Sequence, residues 1–318
     1  MSEYPAPARR ILIIKLGALG DIVQALGPMK AIRDHHAGAH VTLLTTAPYE
    51  AFLRASGLFD EIWVDDRPGW SNPRGWIALR RRLRDGRFDR VYDLQTSDRS
   101  SGYFRLFPRA GRPEWSGIAP GCSHPHRDPS RDSLHTIERQ KGQLRDAGID
   151  DVPAPDLSWA DSDISRFMLP QRFVLMVPGG SPHRPGKRWP AERYAVLANT
   201  LAAKDLTPVL IGTKSEDAVI GAIVDAAPAA RNLMGETSIL DLAALARKAA
   251  GAVGNDSGPM HLVAAAGTPS VVVYSHESDP ALCAQRGPAV SILRHERLDE
   301  LAPAEVAAAL EAVISRAA

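Results

Sequence analysis

A chain of 318 residues, 44 % apolar and 24 % charged, is too long for one average domain, and each half can bury its own core. The two cysteines, Cys122 and Cys283, lie far apart and form no CxxC pair, which argues against a disulfide framework or zinc knuckle and for a reducing compartment. Net charge is +1, no apolar run approaches the ~20 residues that span a bilayer, and the opening MSEYPAPARR lacks the apolar stretch expected of a secretory signal.

The first half reads as strands at Ile11–Ile14, Val41–Leu44, Ile62–Val64 and Val91–Leu94, with helices over 21–35, 47–56 and 73–84. The strand runs are continuous and β-branched, the pattern of strands covered on both faces. The third helix carries Arg80, Arg81, Arg82 and Arg84, and residues 1–150 hold 23 Lys/Arg against 18 Asp/Glu. A solvated helix face is the plain reading of these arginines; a landing surface for an anionic partner is the sharper one. No nucleic-acid motif or interleaved aromatic accompanies them, so nucleic acid is not expected. The pattern fades from about 108 to 160, apart from a helix at 135–147. A second series then runs through Phe173–Val177, Pro208–Ile211, Asn232–Met234, Ala252–Gly254 and Val271–Tyr274, with helices at 190–203, 214–227 and 238–249 and an Ala-rich helix at 302–316. Alternating strand and helix implies parallel sheets. The fold class is therefore α/β, two Rossmann-like doubly wound domains over 1–160 and 161–318 facing a cleft, with the last helix free to pack back on the first domain.

Three constellations sit at strand ends. Lys15-Leu-Gly17-Ala-Leu-Gly20-Asp21 follows a buried strand and opens a helix. Its glycines allow a tight turn and close approach of a ligand. Asp21 suits a helix cap, and equally a general base that takes a proton from an attacking hydroxyl. The GxxGD spacing is not the dinucleotide fingerprint. Val177-Pro-Gly179-Gly180-Ser181, ending in Lys187-Arg188-Trp189-Pro190, offers backbone N–H groups and positive charge to phosphate oxygens; a cationic surface loop is the competing reading. Gly254-Asn255-Asp256-Ser257-Gly258-Pro259-Met260-His261 closes a short strand and starts an apolar helix, whose N-terminus is prepared for a diphosphate. Asp256 as a cap and His261 as a core histidine are the alternatives there. No HxH, HExxH or carboxylate cluster suggests a metal.

In this order, at these strand ends, the motifs resemble glycosyltransferase family 9, the ADP-heptose:lipopolysaccharide heptosyltransferases, over nearly the whole chain. The resemblance implies a GT-B fold that binds acceptor in the first domain and donor in the second, inverting and metal-independent chemistry, and no cofactor beyond an ADP-linked sugar donor. It implies Asp21 as catalytic base and Lys187 as the donor-phosphate lysine. Gly179, Ser181, Glu216 at the ribose, Thr237 near adenine, and Asp256, Ser257, Gly258 and His261 become donor residues. Gly17, Gly20, Arg80 and Arg81 are assigned to an anionic glycolipid acceptor, met in the cytoplasm or at the inner face of the inner membrane. Glu216 early in a helix is also commonplace as a capping carboxylate. One loop departs from the family pattern: Ser275-His276-Glu277-Ser278-Asp279-Pro280 carries His and Glu where small residues are usual. A transferase for another sugar or acceptor, a nucleotide-sugar epimerase, and a non-catalytic nucleotide-sugar-binding protein stay open as alternatives.

Overall fold

The computed structural model describes residues 8–181 and 183–317; most of the opening segment considered above as a leader, and Pro182 of the second motif, lie outside the described residues. Contacts divide the chain into two units, Met1–Pro155 and Asp156–Ala318, within the polar stretch DVPAPDLSWADSD.

The first unit holds β1 (Arg10–Ile14), β2 (His40–Thr45), β3 (Glu61–Val64), β4 (Arg90–Asp93), β5 (Glu114–Gly117) and β6 (His124–Pro125). Its sheet order is β3-β2-β1-β4-β5-β6, with every pair parallel. The crossovers include α1 (Leu19–His35), α2 (Ala47–Ala55), α3 (Pro73–Asp85) and α4 (Asp98–Tyr103), and α5 (Thr136–Arg145) follows the last strand. Ile11, Leu12, Ile13 and Ile14 are all fully buried, because helices cover both faces of the central strand. Burial of one such side chain stabilises by roughly 1.5–3 kcal/mol, so the strand ends are rigid platforms for the loops they feed.

The second unit repeats the plan with β7 (Phe173–Val177), β8 (Thr207–Leu210), β9 (Arg231–Asn232), β10 (Gly251–Asn255), β11 (Ser270–Tyr274) and β12 (Val290–Arg294). The order β12-β11-β10-β7-β8-β9 is again all parallel. Its helices are α6 (Ala191–Ala202), α7 (Asp217–Ala226), α8 (Ile239–Lys248), α9 (Gly258–Ala265), α10 (Pro280–Cys283) and α11 (Pro303–Ala317). The last helix lies on α6, β10, β11 and β12, with Val306, Leu310 and Val313 buried there.

In each sheet the unit's first strand neighbours its fourth, β1 beside β4 and β7 beside β10. Strand order reverses at that seam, and the crossovers on its two sides diverge. Ligands of open α/β sheets bind beyond the carboxyl ends of strands at such a seam.

Candidate functional site

In the first unit the seam is filled by the loop from β1 into α1. Leu16 N–H donates to Gln95 Oε1 at 2.8 Å, and Leu16 O accepts from Thr46 Oγ1 at 2.9 Å and from Arg67 at 3.0 Å. Gly17 has φ +129°, and a Cβ there would stand 2.7 Å from the Tyr49 ring. Only glycine fits both the backbone and the space. Gly20 is buried in the first turn of α1. One turn position on, Asp21 accepts a hydrogen bond from Ala18 N–H at 3.1 Å. That bond is a helix cap and occupies one carboxylate oxygen. The side chain also lines a recess of about 190 Å³ together with Lys15, Gln95, Thr96, Arg131, Arg139 and Gln140. Asp21 is thus both a helix cap and part of the recess lining.

Lys15 lines the recess, and Asp93 is buried near it. Lys15 is 3 % exposed, and its ammonium donates to Leu94 O at 3.1 Å. Burial pushes its pKa down; Asp21 and Asp93 pull it back up, and Arg139 adds to the depression. Asp93, fully buried, is pushed up to about 6 by burial, although its Oδ1 accepts from the Gln95 and Thr96 amides at 3.2 and 3.0 Å. Its Oδ2 has no hydrogen-bond partner. Gln143, on α5, ties Asp93 O to Ser116 O through its amide nitrogen.

Arg80 and Arg81 are not brought to this recess. Arg81 shares a different hollow with Arg10, Trp63, Arg82, Asp85 and Gly86, at the amino end of β1, and pairs with Asp85 at 3.5 Å. Arg80 is exposed on the same helix. Helix α3 starts beyond the carboxyl end of β3 and runs back, which carries its last turns to the opposite edge of the sheet. Arg131 lies in the stretch where strand–helix alternation fades, and Arg139 and Gln140 lie on the expected helix at 135–147, whose sequence does not show that it packs beside the β1 loop.

In the second unit Asn255, at the end of β10, pins the glycine turn after β7. Its Nδ2 donates to Pro178 O at 2.7 Å and Gly179 O at 3.1 Å. Its Oδ1 accepts from Trp189 N–H and from Tyr194 Oη, each at 3.0 Å. Arg188 holds the same turn by donating to Gly180 O at 2.7 Å, and Ser181 is exposed beyond it. Lys187 Nζ lies 2.6 Å from Asp256 Oδ2, with the two side chains 12 % and 7 % exposed. Gln285 donates to the other Asp256 oxygen at 3.1 Å. Burial pushes the Asp256 carboxyl up, but the hydrogen bond and charge of Lys187 outweigh it and hold the group below the usual carboxylate range.

Ser257 precedes α9 as its N-cap, yet its side chain makes no cap bond, and its Oγ is buried without a partner. Gly258 opens the helix; Pro259 has no N–H, so Gly258 and Met260 supply the free amides of the first turn. His261 is buried, 8 % exposed. Glu216 caps its own turn, accepting from Thr213 N–H at 2.8 Å and Thr213 Oγ1 at 2.6 Å. The same carboxylate leans on Gly179, where a Cβ would stand 3.1 Å from Oε1. Thr237 is half-buried in the loop after β9, which Gly235 N–H ties to Gly212 O at 2.8 Å beside the Glu216 turn. Gly179, Glu216, Lys187, Asp256 and Ser257 thus gather at the carboxyl ends of β7, β8 and β10. In the departing loop, His276 Nδ1 lies 2.7 Å from Glu296 O, and the Glu277 carboxylate lies against Gly186.

Among the described residues no group of three or more His, Cys, Asp or Glu is arranged to hold a metal ion, and no helix is long and apolar enough to cross a membrane.

A family model described as glycosyltransferase family 9 (heptosyltransferase) matches residues 76–300. The lipopolysaccharide core heptosyltransferase OpsX of Haemophilus influenzae is 23 % identical over 303 residues, covering 87 % of this chain and 82 % of that protein. Lipopolysaccharide heptosyltransferase 2 of Salmonella typhimurium is 30 % identical over 229 residues, 64 % of this chain and 65 % of that protein. The structure of E. coli ADP-heptose lipopolysaccharide heptosyltransferase II superposes with a TM-score of 0.80 at 22 % identity, covering 96 % of this chain and 99 % of that one. The two doubly wound units are accordingly those of the GT-B fold.

Proposed function

The chain belongs to glycosyltransferase family 9, and from that premise we propose that it transfers a heptosyl group from an ADP-linked donor to a hydroxyl of a lipopolysaccharide core acceptor. Asp21 takes the hydroxyl proton as the oxygen attacks the anomeric carbon; the bond to the diphosphate oxygen breaks, and the configuration inverts. The leaving diphosphate is received by Lys187 and by the Gly258 and Met260 amides at the start of α9, with Ser257 Oγ as a further donor. Glu216 and Thr237 take the nucleoside. No metal is required in this scheme.

The observation that carries this reading is the matched position of the two motif sets, each beyond the carboxyl ends at the reversal seam of its own sheet. The names of the similar proteins support heptose, ADP and a lipopolysaccharide acceptor. The experiment is mass spectrometry of products from purified protein, a panel of nucleotide sugars and truncated lipid-core acceptors, with and without EDTA. A heptosylated acceptor with the inverted anomer, formed equally with EDTA, supports the scheme. Free epimerised sugar without acceptor, or binding without turnover, rejects it.

A second reading, the same transfer with a different sugar, is favoured by Glu277. Its carboxylate beside Gly186 adds negative charge next to the Lys187 loop, where the family carries small residues. Turnover with a non-heptose donor in the same panel would select it. The first unit also presents Trp70, 90 % exposed and stacked on Trp76, with exposed Ile77 next in sequence and the Arg99 guanidinium 5.4 Å from the Trp76 ring centroid. This mixture of aromatic and cationic groups supports contact with an anionic membrane face on the cytoplasmic side. Co-sedimentation with phosphatidylglycerol vesicles at low salt, lost in a Trp70→Ala variant, is the result it requires.

A further inference from the structure

Gln285 lies two residues beyond α10, outside the three sequence motifs, and is 3 % exposed. Both ends of its amide are engaged. Its Nε2 donates to Asp256 Oδ1 at 3.1 Å, and its Oε1 accepts from Tyr274 Oη at 2.8 Å. The other Asp256 oxygen accepts from Lys187 Nζ at 2.6 Å. A hydrogen-bonded chain therefore runs from the end of β11 to the loop before α6, through Tyr274, Gln285, Asp256 and Lys187. Its first three members are buried, and the Lys187 side chain is 12 % exposed.

The direction of each bond in this chain is determined. An ionised carboxylate only accepts, so Gln285 turns its NH2 to Asp256 and its carbonyl oxygen to Tyr274, whose hydroxyl then donates. Against burial, the hydrogen bond and charge of Lys187 and the hydrogen bond of Gln285 hold the Asp256 carboxyl below its usual range. Burial and the Asp256 charge push the Tyr274 hydroxyl well above its ordinary value, so it keeps its proton. A carboxylate tied through one oxygen offers the other in one direction. The ammonium has three donors, and the Asp256 bond uses one of them. Without the Gln285 bond the carboxylate is free to rotate and to take the ammonium with both oxygens, which diverts a donor from any incoming phosphate.

We propose that Gln285 is a positioning residue for the donor: steadied by Tyr274, it clamps Asp256 and so aims the Lys187 ammonium at the diphosphate. The proposal rests on the reading of Lys187 as the donor-phosphate lysine, and it is tested by calorimetric binding of ADP to the full chain. Gln285→Met keeps the volume, removes both hydrogen bonds, and should weaken ADP binding ~10-fold. Tyr274→Phe, a milder change that keeps the test open if Gln285→Met does not fold, should weaken it ~3-fold and add nothing in the Gln285→Met background. The Gln285→Met loss should disappear in Lys187→Ala, because the amide acts through the lysine.

Gln285→Glu gives a readout that a packing role would not move. The introduced carboxyl faces Asp256, Lys187, Tyr274 and Cys283, and the thiol, like the tyrosine, is held above its usual range by burial. Burial and the Asp256 charge raise the pKa of the new carboxyl. While protonated it donates to Asp256 as the amide does; once ionised it repels Asp256. ADP affinity relative to the parent should therefore fall as pH rises from about 5.5 to 8.5, a step that Gln285→Met lacks. In transfer assays Gln285→Met should raise donor KM, lower kcat and leave acceptor KM unchanged. ADP affinity untouched by Gln285→Met, an equal loss in the Lys187→Ala background, or a pH-independent ratio for Gln285→Glu overturns the clamp. A parent that binds no ADP rejects the donor reading and the clamp with it, whereas ADP binding without transfer rejects the transferase reading alone.

Discussion

Lys187 and Asp256 meet at 2.6 Å with both side chains nearly buried, so the lysine assigned to the donor diphosphate has a carboxylate partner within the second unit. A buried pair is weakly stabilising as a whole, yet removal of one member strands the other charge. Lys187→Ala and Asp256→Ala should each destabilise by about 3 kcal/mol, and the double variant by clearly less than the sum. Urea unfolding of the four proteins closes the cycle, and additive losses would show that the two charges do not stabilise one another.

Asn255 is the second lever on the donor side. Four hydrogen bonds converge on its amide, from two turn carbonyls, an indole-bearing backbone and a tyrosine hydroxyl. Asn255→Ala leaves several of these groups buried and unpaired, at about 1–3 kcal/mol apiece for those that water cannot reach. Asn255→Asp keeps the shape but turns a donor into an acceptor facing Pro178 O and Gly179 O. Both variants should lower the urea midpoint and weaken ADP binding in calorimetry. Tight ADP binding by Asn255→Asp would separate the pin from the donor turn.

Much of this was legible from residue patterns. The runs at β1, β2, β7, β10 and β11 are continuous apolar stretches covered on both faces, and both units were readable as parallel sheets from them. The strands that escaped lie at or next to an edge: β6 is two residues ending in Pro125, β5 beside it contains Ser116 and Gly117, and the edge strand β12, VSILR, is only partly buried and interrupts its apolar run with Ser291. The motif residues before the helices were also legible, since Gly, Asp and Ser at strand ends carry local signals. The partners from α5 were not. Arg139, Gln140 and Gln143 reach the recess through tertiary packing across about 120 residues, which leaves no periodic trace. Arg81 shows the converse case: its charge is visible in the sequence, but the end of the sheet it occupies is not.

Gly17 is a point where backbone and packing agree on one residue. Gly17→Ala adds a Cβ that meets the Tyr49 ring at 2.7 Å and places an L-residue at φ +129°. The backbone penalty alone is about 1–3 kcal/mol. A Tyr49→Ala change in the same chain removes the clash and leaves the backbone strain, so it should recover only part of the lost stability. Full recovery of the urea midpoint would assign the whole effect to the ring. Transfer activity should fall in Gly17→Ala, because the loop it distorts leads directly into the turn that presents Asp21.

Asp93 and His36 tilt the acid stability of the first unit in opposite directions. Asp93 rises from 3.8 to about 6 on burial, so the native state holds its proton more tightly than the unfolded chain does. Its contribution is fully present below about pH 4 and is lost as pH rises through 6, a change of about 3 kcal/mol at 1.4 kcal/mol per unit. His36 falls from 6.5 to about 4, first through burial and then through His35 and Arg90, and its neutral ring lies 2.8 Å from Tyr92 Oη. Its contribution is present above 6.5 and is lost as pH falls through 4. The two slopes offset each other in the intact protein. Asp93→Asn should therefore lose stability more steeply than the parent between about pH 6.5 and 4, and His36→Asn should be more stable near pH 4.5 than near pH 7, once constant offsets are removed. Urea unfolding free energies across that range measure both slopes. Identical pH profiles in the three proteins would mean that neither group titrates differently on folding.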